Sequence, residues 1–139
     1  MTFMPTLLVV DDQRTLRDAL AAFLESEGYI VADATNGRDA LVYLGSGQPV
    51  HIIIVDLEMP VMDGWEFLRR QRRDRIWRTI PTLVITGLTD AEQKRGELGG
   101  ARVLQKPLNF EELLGAVRAE LHGAQSDTPS VARAGRPRE

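Results

Sequence analysis

The stretch IIIVDLEMPVMDG, residues 52–64, decides how this chain is read. Four β-branched apolar residues, Ile52, Ile53, Ile54 and Val55, run straight into Asp56. An apolar run of this length, with no polar alternation, reads as a strand covered on both faces of a sheet. Burying a carboxylate without a partner is expensive, so an acid ending such a strand either caps a neighbour or does chemistry. The rest of the chain has to decide between the two.

Outward from this strand, apolar strand-like runs alternate with helical periodicity. Thr6–Val10 reads as a first buried strand, and Leu16, Leu20, Phe23 and Leu24 then recur at helical spacing up to Gly28. Tyr29–Ala32 reads as the second strand, followed by a helix capped by Asn36 that carries Ala40, Leu41 and Leu44 and ends at GSGQP. Val50–Val55 is the third strand. Asp63 and Glu66 have capping-box spacing and open a helix bearing Trp65, Phe67 and Leu68. Pro81–Ile85 is the fourth strand, and Thr89 with Glu92 predicts a capping box on a short helix ending near Leu98, before Gly99 and Gly100. Arg102–Gln105 is the fifth strand, and Asn109 caps a last helix with Phe110, Leu113, Leu114, Val117 and Leu121 on its apolar face. Five such alternations predict an α/β domain over residues 1–122, a parallel sheet with helices on both faces. From Gly123 to Glu139 the chain is polar and aperiodic, which predicts a disordered tail.

Composition narrows the chemistry. At 139 residues, 43% hydrophobic and 27% charged, the chain is that of one globular domain. Its net charge of -3 gives no global reason to expect nucleic acid or an anionic membrane as partner. The absence of cysteine excludes thiol nucleophiles and thiolate metal sites, and two distant histidines, His51 and His122, argue against a zinc centre. Any metal is expected to be a hard cation held by oxygen. The N-terminus has no basic leader, and its apolar run stops at Asp11, too short for a signal peptide or a membrane span, so a cytoplasmic protein is expected.

In an open parallel sheet, function gathers beyond the carboxyl ends of the strands. There the phasing places Asp11 and Asp12 after the first strand, Asp56 and Glu58 after the third, Thr86 and Gly87 after the fourth, and Lys106 and Pro107 after the fifth. Clustered carboxylates raise one another's pKa unless a cation joins them, and magnesium fits an all-oxygen set. An aspartate can act as a nucleophile and form an acyl phosphate, with Lys106 and Thr86 supplying a positive charge and a hydrogen bond to phosphoryl oxygens. Gly87 leaves room for a donor to approach.

Taken in order, VVDD, VDLEMPVMDG, VITG and LQKP resemble the receiver domain of two-component response regulators, over roughly residues 5 to 122. The resemblance implies a (βα)5 doubly wound, flavodoxin-like sheet in the order 2-1-3-4-5. It implies Asp56 as the phosphoacceptor for a histidine kinase's phosphohistidine. It implies Mg2+ bound by Asp11, Asp12, Asp56 and the backbone carbonyl of Glu58, with Thr86 and Lys106 as catalytic helpers and a cis bond before Pro107. The implied protein is a signalling switch that catalyses its own phosphorylation and dephosphorylation. Its implied partners are a sensor histidine kinase or histidine phosphotransfer protein and a downstream protein, with a phosphorylation-dependent dimer as a further form. Output is expected through protein contact or onward phosphate transfer, because no output domain is read in the chain; an excised receiver of a larger protein is the other reading.

The chain departs from the family pattern in three places. Val103 stands where the family commonly has Tyr or Phe, the segment from Thr86 to Lys106 is short and glycine-rich, and Glu58 and Leu88 occupy the variable positions flanking the site. Val103 gives some weight to a pseudo-receiver, an interaction module working without phosphorylation; the intact acids, Thr86 and Lys106 weigh against it. An aspartate-nucleophile phosphatase would want Asp at position 58, and a flavodoxin would want a phosphate loop after the first strand. The arginine-rich run RRQRRDRIWR, residues 69–78, is taken as the solvated end of a helix and its loop, since no aromatic platform accompanies it.

Overall fold

Strands β1 (Thr6–Val10) and β3 (Ile52–Asp56) form the middle of a five-stranded parallel sheet, and every residue of both is buried. The computed structural model describes residues 3–127. Strand order is 2-1-3-4-5, with β2 (Ile30–Ala34) and β5 (Arg102–Gln105) at the edges and β4 (Thr82–Thr86) beside β3. The burial of β1 and β3 on both faces explains why their sequences show no alternation. The edge strands are only partly covered, and they read less cleanly.

The two-residue period of the strands sorts the core into two halves. Leu7, Val9, Ile52, Ile54, Leu83 and Ile85 point to one face, where α1 (Arg14–Ser26) contributes Leu20 and Leu24 and α4 (Phe110–Asp127) contributes Leu113, Ala116 and Val117. Leu8, Val10, Ile53, Val55 and Val84 point to the other, against Ala40 and Leu44 of α2 (Gly37–Gly45) and Phe67 and Leu68 of α3 (Gly64–Arg73). Phe67 has no exposed surface, and truncating such a ring to alanine costs about 3–5 kcal/mol.

Local signals mostly act as the sequence predicts. Asn36, Asp63 and Asn109 accept hydrogen bonds from the backbone N–H groups of Asp39, Glu66 and Glu112, at 2.9, 2.9 and 3.0 Å. Strands β3 and β4 run to Asp56 and Thr86, one residue past the expected ends, because the ladder pairs Asp56 with Ile85 and Thr86 with Gln105. The fourth crossover departs from expectation. Its helix is a 3-10 segment, Glu92–Leu98, with an N-cap at Ala91, no side-chain cap and a kink at Lys94. Thr89 and Glu92 therefore form no capping box. Only Ala91 and Leu98 are buried there, and the six residues between them are exposed. Without an apolar stripe, and with Gly96 inside, little favours a regular α-helix. Helix α4 continues through Asp127, past Gly123 where the tail was expected to begin; the remainder of that expected tail lies outside the described residues. Among the described residues no helix is long and apolar enough to cross a membrane.

Candidate functional site

The sheet order reverses direction between β1 and β3, and the crevice beyond their carboxyl ends is where open α/β sheets bind ligands. Asp11 and Asp12 follow β1, Asp56 ends β3, Thr86 ends β4 and Lys106 follows β5. The fold therefore brings together the side chains of Asp11, Asp12, Asp56 and Lys106 and sets Thr86 at the same edge, while the side chain of Glu58 is exposed.

Lys106 ties the site together. Its Nζ lies 3.2 Å from Asp56 Oδ2, 3.3 Å from Asp11 Oδ2 and 3.3 Å from the Gln13 side-chain oxygen. Asp11 is fully buried and Asp56 nearly so, whereas Asp12 is exposed. The second oxygen of Asp56 accepts the Glu58 N–H at 3.2 Å, and that of Asp11 accepts the Gln13 N–H at 2.8 Å. Burial pushes the Asp56 carboxyl above the usual carboxylate range, and Asp11 adds to the shift; the Glu58 N–H and the Lys106 ammonium oppose it without overcoming it. For Lys106, burial works downward, but the charges of Asp56 and Asp11 more than offset it and raise its pKa.

One ammonium thus faces two buried carboxylates, and Asp12 brings a third to within 4.8 Å. That excess of negative charge, carried entirely by hard oxygen donors, fits Mg2+ by both charge and chemistry. Asp12 takes no part in capping α1, whose N-cap is Gln13 without a side-chain bond, so a purely local explanation of the second acid fails.

Thr86 is fully buried and its Oγ1 accepts the Leu88 N–H at 3.0 Å, which orients the hydroxyl and leaves its proton available to donate. The Lys106 N–H donates to the Thr86 carbonyl at 2.7 Å, fixing the two residues relative to each other. The bond between Lys106 and Pro107 is cis. Val103 is half-buried against the α2 and α3 side of the core, so an aliphatic side chain packs where the family commonly carries a ring.

Three contributors escaped the sequence. Gln13 gives Lys106 a neutral acceptor; no motif marks it. Arg17, in the first turn of α1, donates to the Asp11 carbonyl at 2.8 Å and to Asp33 Oδ2 at 3.2 Å, tying the acidic loop to the end of β2. Its partner lies 16 residues away, and no spacing rule connects them. Gly64 starts α3 against the end of β3, where any Cβ would run into the Asp56 carbonyl oxygen. Its N–H donates to the Leu57 carbonyl at 3.0 Å. In the sequence Gly64 stands out only as the neighbour of the Asp63 cap, and its place eight residues after the end of a buried strand was the available clue.

Comparison with known proteins identifies the family and the fold. Residues 7–118 match the family described as response regulator receiver domain. The alkaline phosphatase synthesis transcriptional regulatory protein SphR of Synechococcus elongatus is 34% identical over 140 residues, covering 91% of this chain and 54% of SphR. The chain spans about half the length of such curated relatives. Protein PilG of Pseudomonas aeruginosa is 32% identical over 118 residues, covering 83% of this chain and 86% of PilG. Among solved structures, the chemotaxis response regulator CheY4 of Vibrio cholerae superposes with a TM-score of 0.77 at 34% identity, over 86% of this chain and 100% of CheY4. The response regulator TrrA of Thermotoga maritima, solved in complex with Mg2+ and BeF, gives 0.75 at 30% identity over 85% of this chain and 100% of TrrA.

Proposed function

We propose a phosphoaspartate switch centred on Asp56, from the premise that this chain belongs to the response regulator receiver domain family of two-component signalling. One observation carries the reading: Lys106 Nζ bridges Asp11 and Asp56, with a third carboxylate within 4.8 Å, at the crevice of the sheet.

An Asp56 carboxylate oxygen attacks the phosphorus of a phosphohistidine. The phosphorus–nitrogen bond breaks, an acyl phosphate forms on Asp56, and the freed imidazole takes up a proton. Little covalent work falls to the protein; positioning and charge do most of it. Lys106 is already within reach of Asp56 and turns its ammonium from the carboxylate to a phosphoryl oxygen. The Thr86 hydroxyl donates to a second phosphoryl oxygen while its Oγ1 keeps the Leu88 N–H. Gly87, exposed and without a side chain, leaves the approach open. Asp11, Asp12, Asp56 and the Glu58 carbonyl would hold Mg2+, which supplies the positive charge that offsets three acids and a phosphoryl group. The likeness to TrrA, solved with Mg2+ and BeF, supports that assignment.

The donor is a sensor histidine kinase or a histidine phosphotransfer protein, and the setting is the cytoplasm. Self-catalysed loss of phosphate is hydrolysis of the acyl phosphate by water, with Glu58 and Leu88 bordering its approach. Output passes through contact with a downstream protein, through a phosphorylation-dependent dimer, or as phosphate to a histidine phosphotransfer protein.

The test is intact-protein mass after incubation with acetyl phosphate, with and without magnesium, beside Asp56→Asn. A single phosphoryl adduct that requires magnesium and disappears in the variant is expected. An adduct that survives Asp56→Asn would refute the assignment of Asp56, and no adduct from either acetyl phosphate or a phosphorylated kinase would leave the fold acting as a binding module.

A further inference from the structure

Residues 69–78 carry six arginines that the phosphoacceptor site does not use. The fold takes two of them, Arg72 and Arg78, to the amino-terminal edge of the sheet, at the opposite end of β4 and β5 from Asp56. There they meet Arg95 and Arg102 around a pocket of about 300 Å³. Four arginines line it, and Glu120 is the one acid among its lining residues. This concentration of positive charge stands in a chain whose net charge is -3. Strands of five residues put roughly 17 Å between the two edges, so the pocket is separate from the Asp56 crevice.

The local structure holds the arginines in place and pairs two of the four with a carboxylate. Arg95 is fixed by the carbonyls of Ala101 and Gly100, both at 3.1 Å, and reaches exposed Glu92 only at 3.4 Å. Arg102 lies 3.7 Å from Glu120. Arg72 and Arg78 have no ion pair and no side-chain hydrogen bond among the described residues. Arg72 is half-buried beside Gly99, whose φ of 70° is left-handed; a Cβ there would stand 2.6 Å from Arg72 Nη1. Gly99 therefore both turns the chain and makes room for the guanidinium. A solvated arginine face needs neither a concave floor nor such a clearance.

We propose that this pocket binds a compact polyanion, a small molecule bearing phosphate groups, through Arg72, Arg78, Arg95 and Arg102. Guanidinium forks match phosphate oxygens in pairs, and an anion in the pocket gives Arg72 and Arg78 the partner they lack among the described residues. The volume is at the small end of ligand sites and the wall is mainly polar, which favours a compact phosphate over a ligand with a large apolar body.

The test is titration of the 139-residue chain with inorganic pyrophosphate in the absence of magnesium, followed by amide NMR shifts and by thermal melting. Saturable shifts at Gly99, Gly100, Ala101 and Arg102 with a rise in Tm are expected. The double variant Arg72→Gln with Arg78→Gln should weaken binding by about tenfold or more, the scale of losing charge-assisted hydrogen bonds. Arg73→Gln, exposed on the same helix and outside the pocket, should leave the affinity unchanged. Arg78→Gln alone, an exposed change with no fold to disturb, should weaken binding too. Unsaturable shifts, shifts centred on Asp11 and Lys106, or equal loss in Arg73→Gln would overturn the proposal. So would binding of polyglutamate without binding of pyrophosphate, which would assign the arginines to a protein partner.

Discussion

Replacing Asp56 by asparagine should make the magnesium-free protein more stable. In the native site Asp56 attracts Lys106 at 3.2 Å, worth about 5 kcal/mol at an effective dielectric near 20. It is repelled by Asp11 and Asp12, whose nearest oxygens lie within 4.8 Å. Each of those repulsions is worth about 3.5 kcal/mol at that distance and dielectric, the Asp12 share being reduced by its exposure. Attraction and repulsion come close to cancelling. The desolvation of a carboxylate that is 4% exposed then decides the sign. Asparagine has nearly the same shape and keeps an oxygen for the Glu58 N–H, so it removes that penalty and leaves Lys106 paired with Asp11. A gain of about 1–2 kcal/mol follows, of the size seen when buried charges are replaced by neutral groups. For a chain of 139 residues this is a Tm increase of roughly 3–7 °C. The assay is thermal melting by circular dichroism at pH 7 with a chelator, repeated with magnesium in excess. Magnesium should close or invert the gap, because it stabilises the native wild type by mass action. The pH dependence has a definite sign. The folded pKa of Asp56 is raised, chiefly by burial, so its contribution is fully present below the ordinary carboxylate pKa and is lost as pH rises through the folded value. The advantage of asparagine should therefore be small near pH 4 and grow towards neutrality. A variant that melts at or below the wild type at pH 7 without magnesium would show that the Lys106 pairing dominates, and the reasoning would fail.

Lys106→Gln should lower the rate of phosphorylation by acetyl phosphate by at least tenfold while Asp56 still accepts phosphate, measured as the initial rate of adduct formation; an unchanged rate would remove Lys106 from the chemistry. The same variant should lose about 3 kcal/mol or more of stability without magnesium, since it leaves two buried carboxylates facing each other, and excess magnesium should restore part of it. Gly64→Ala should cost about 1–3 kcal/mol in urea unfolding, because its Cβ collides with the Asp56 carbonyl and α3 or β3 must shift. Glu66 is held by Arg70 and Arg69, at 2.8 Å each, and its pKa is lowered to about 2. Carboxyl NMR titration should find that low value, with the pairing present above the ordinary glutamate pKa and lost as pH falls through about 2. Arg69→Gln with Arg70→Gln should return it to the usual range.

The central strands were legible because each carries its own evidence. Ile52–Val55 could hardly be anything else, and the acid at its end pointed to the crevice before any coordinate did. The caps at Asn36, Asp63 and Asn109 were equally local, each a side chain reaching a backbone N–H three residues on. Thr89 shows the limit of that rule. A capping box stabilises a helix already held by an apolar stripe, and residues 92–97 offer none. What stayed hidden was set by tertiary neighbours. Arg17 meets Asp33 across 16 residues, and Gln13 meets Lys106 across 93. Gly64 is required by the backbone of a strand and not by its own turn. No window along the chain contains those pairs, whereas Asp11, Asp56 and Lys106 could be matched because strand phasing sends all three to one edge.

Net charge was the least informative quantity in the sequence, and the fold shows why. The carboxyl edge of the sheet gathers Asp11, Asp12 and Asp56 around one lysine, while the amino edge gathers four arginines around one glutamate. The two excesses largely offset each other in a sum over residues, but at roughly 17 Å apart they do not offset in space, since that span exceeds the Debye length at physiological salt, about 8 Å. Each edge therefore presents its own field to solutes. On the proposed function, the acidic edge takes a divalent cation, and with one bound it becomes hospitable to a phosphoryl group. The basic edge is attractive to anions as it stands. This gives the charge distribution a testable asymmetry: adding magnesium should perturb amides around Asp11, Asp12 and Asp56 and leave Gly99 to Arg102 unmoved, and adding pyrophosphate without magnesium should do the reverse. If both ions shifted the same set of amides, the two edges would be acting as one site and the separation argued from strand length would be wrong.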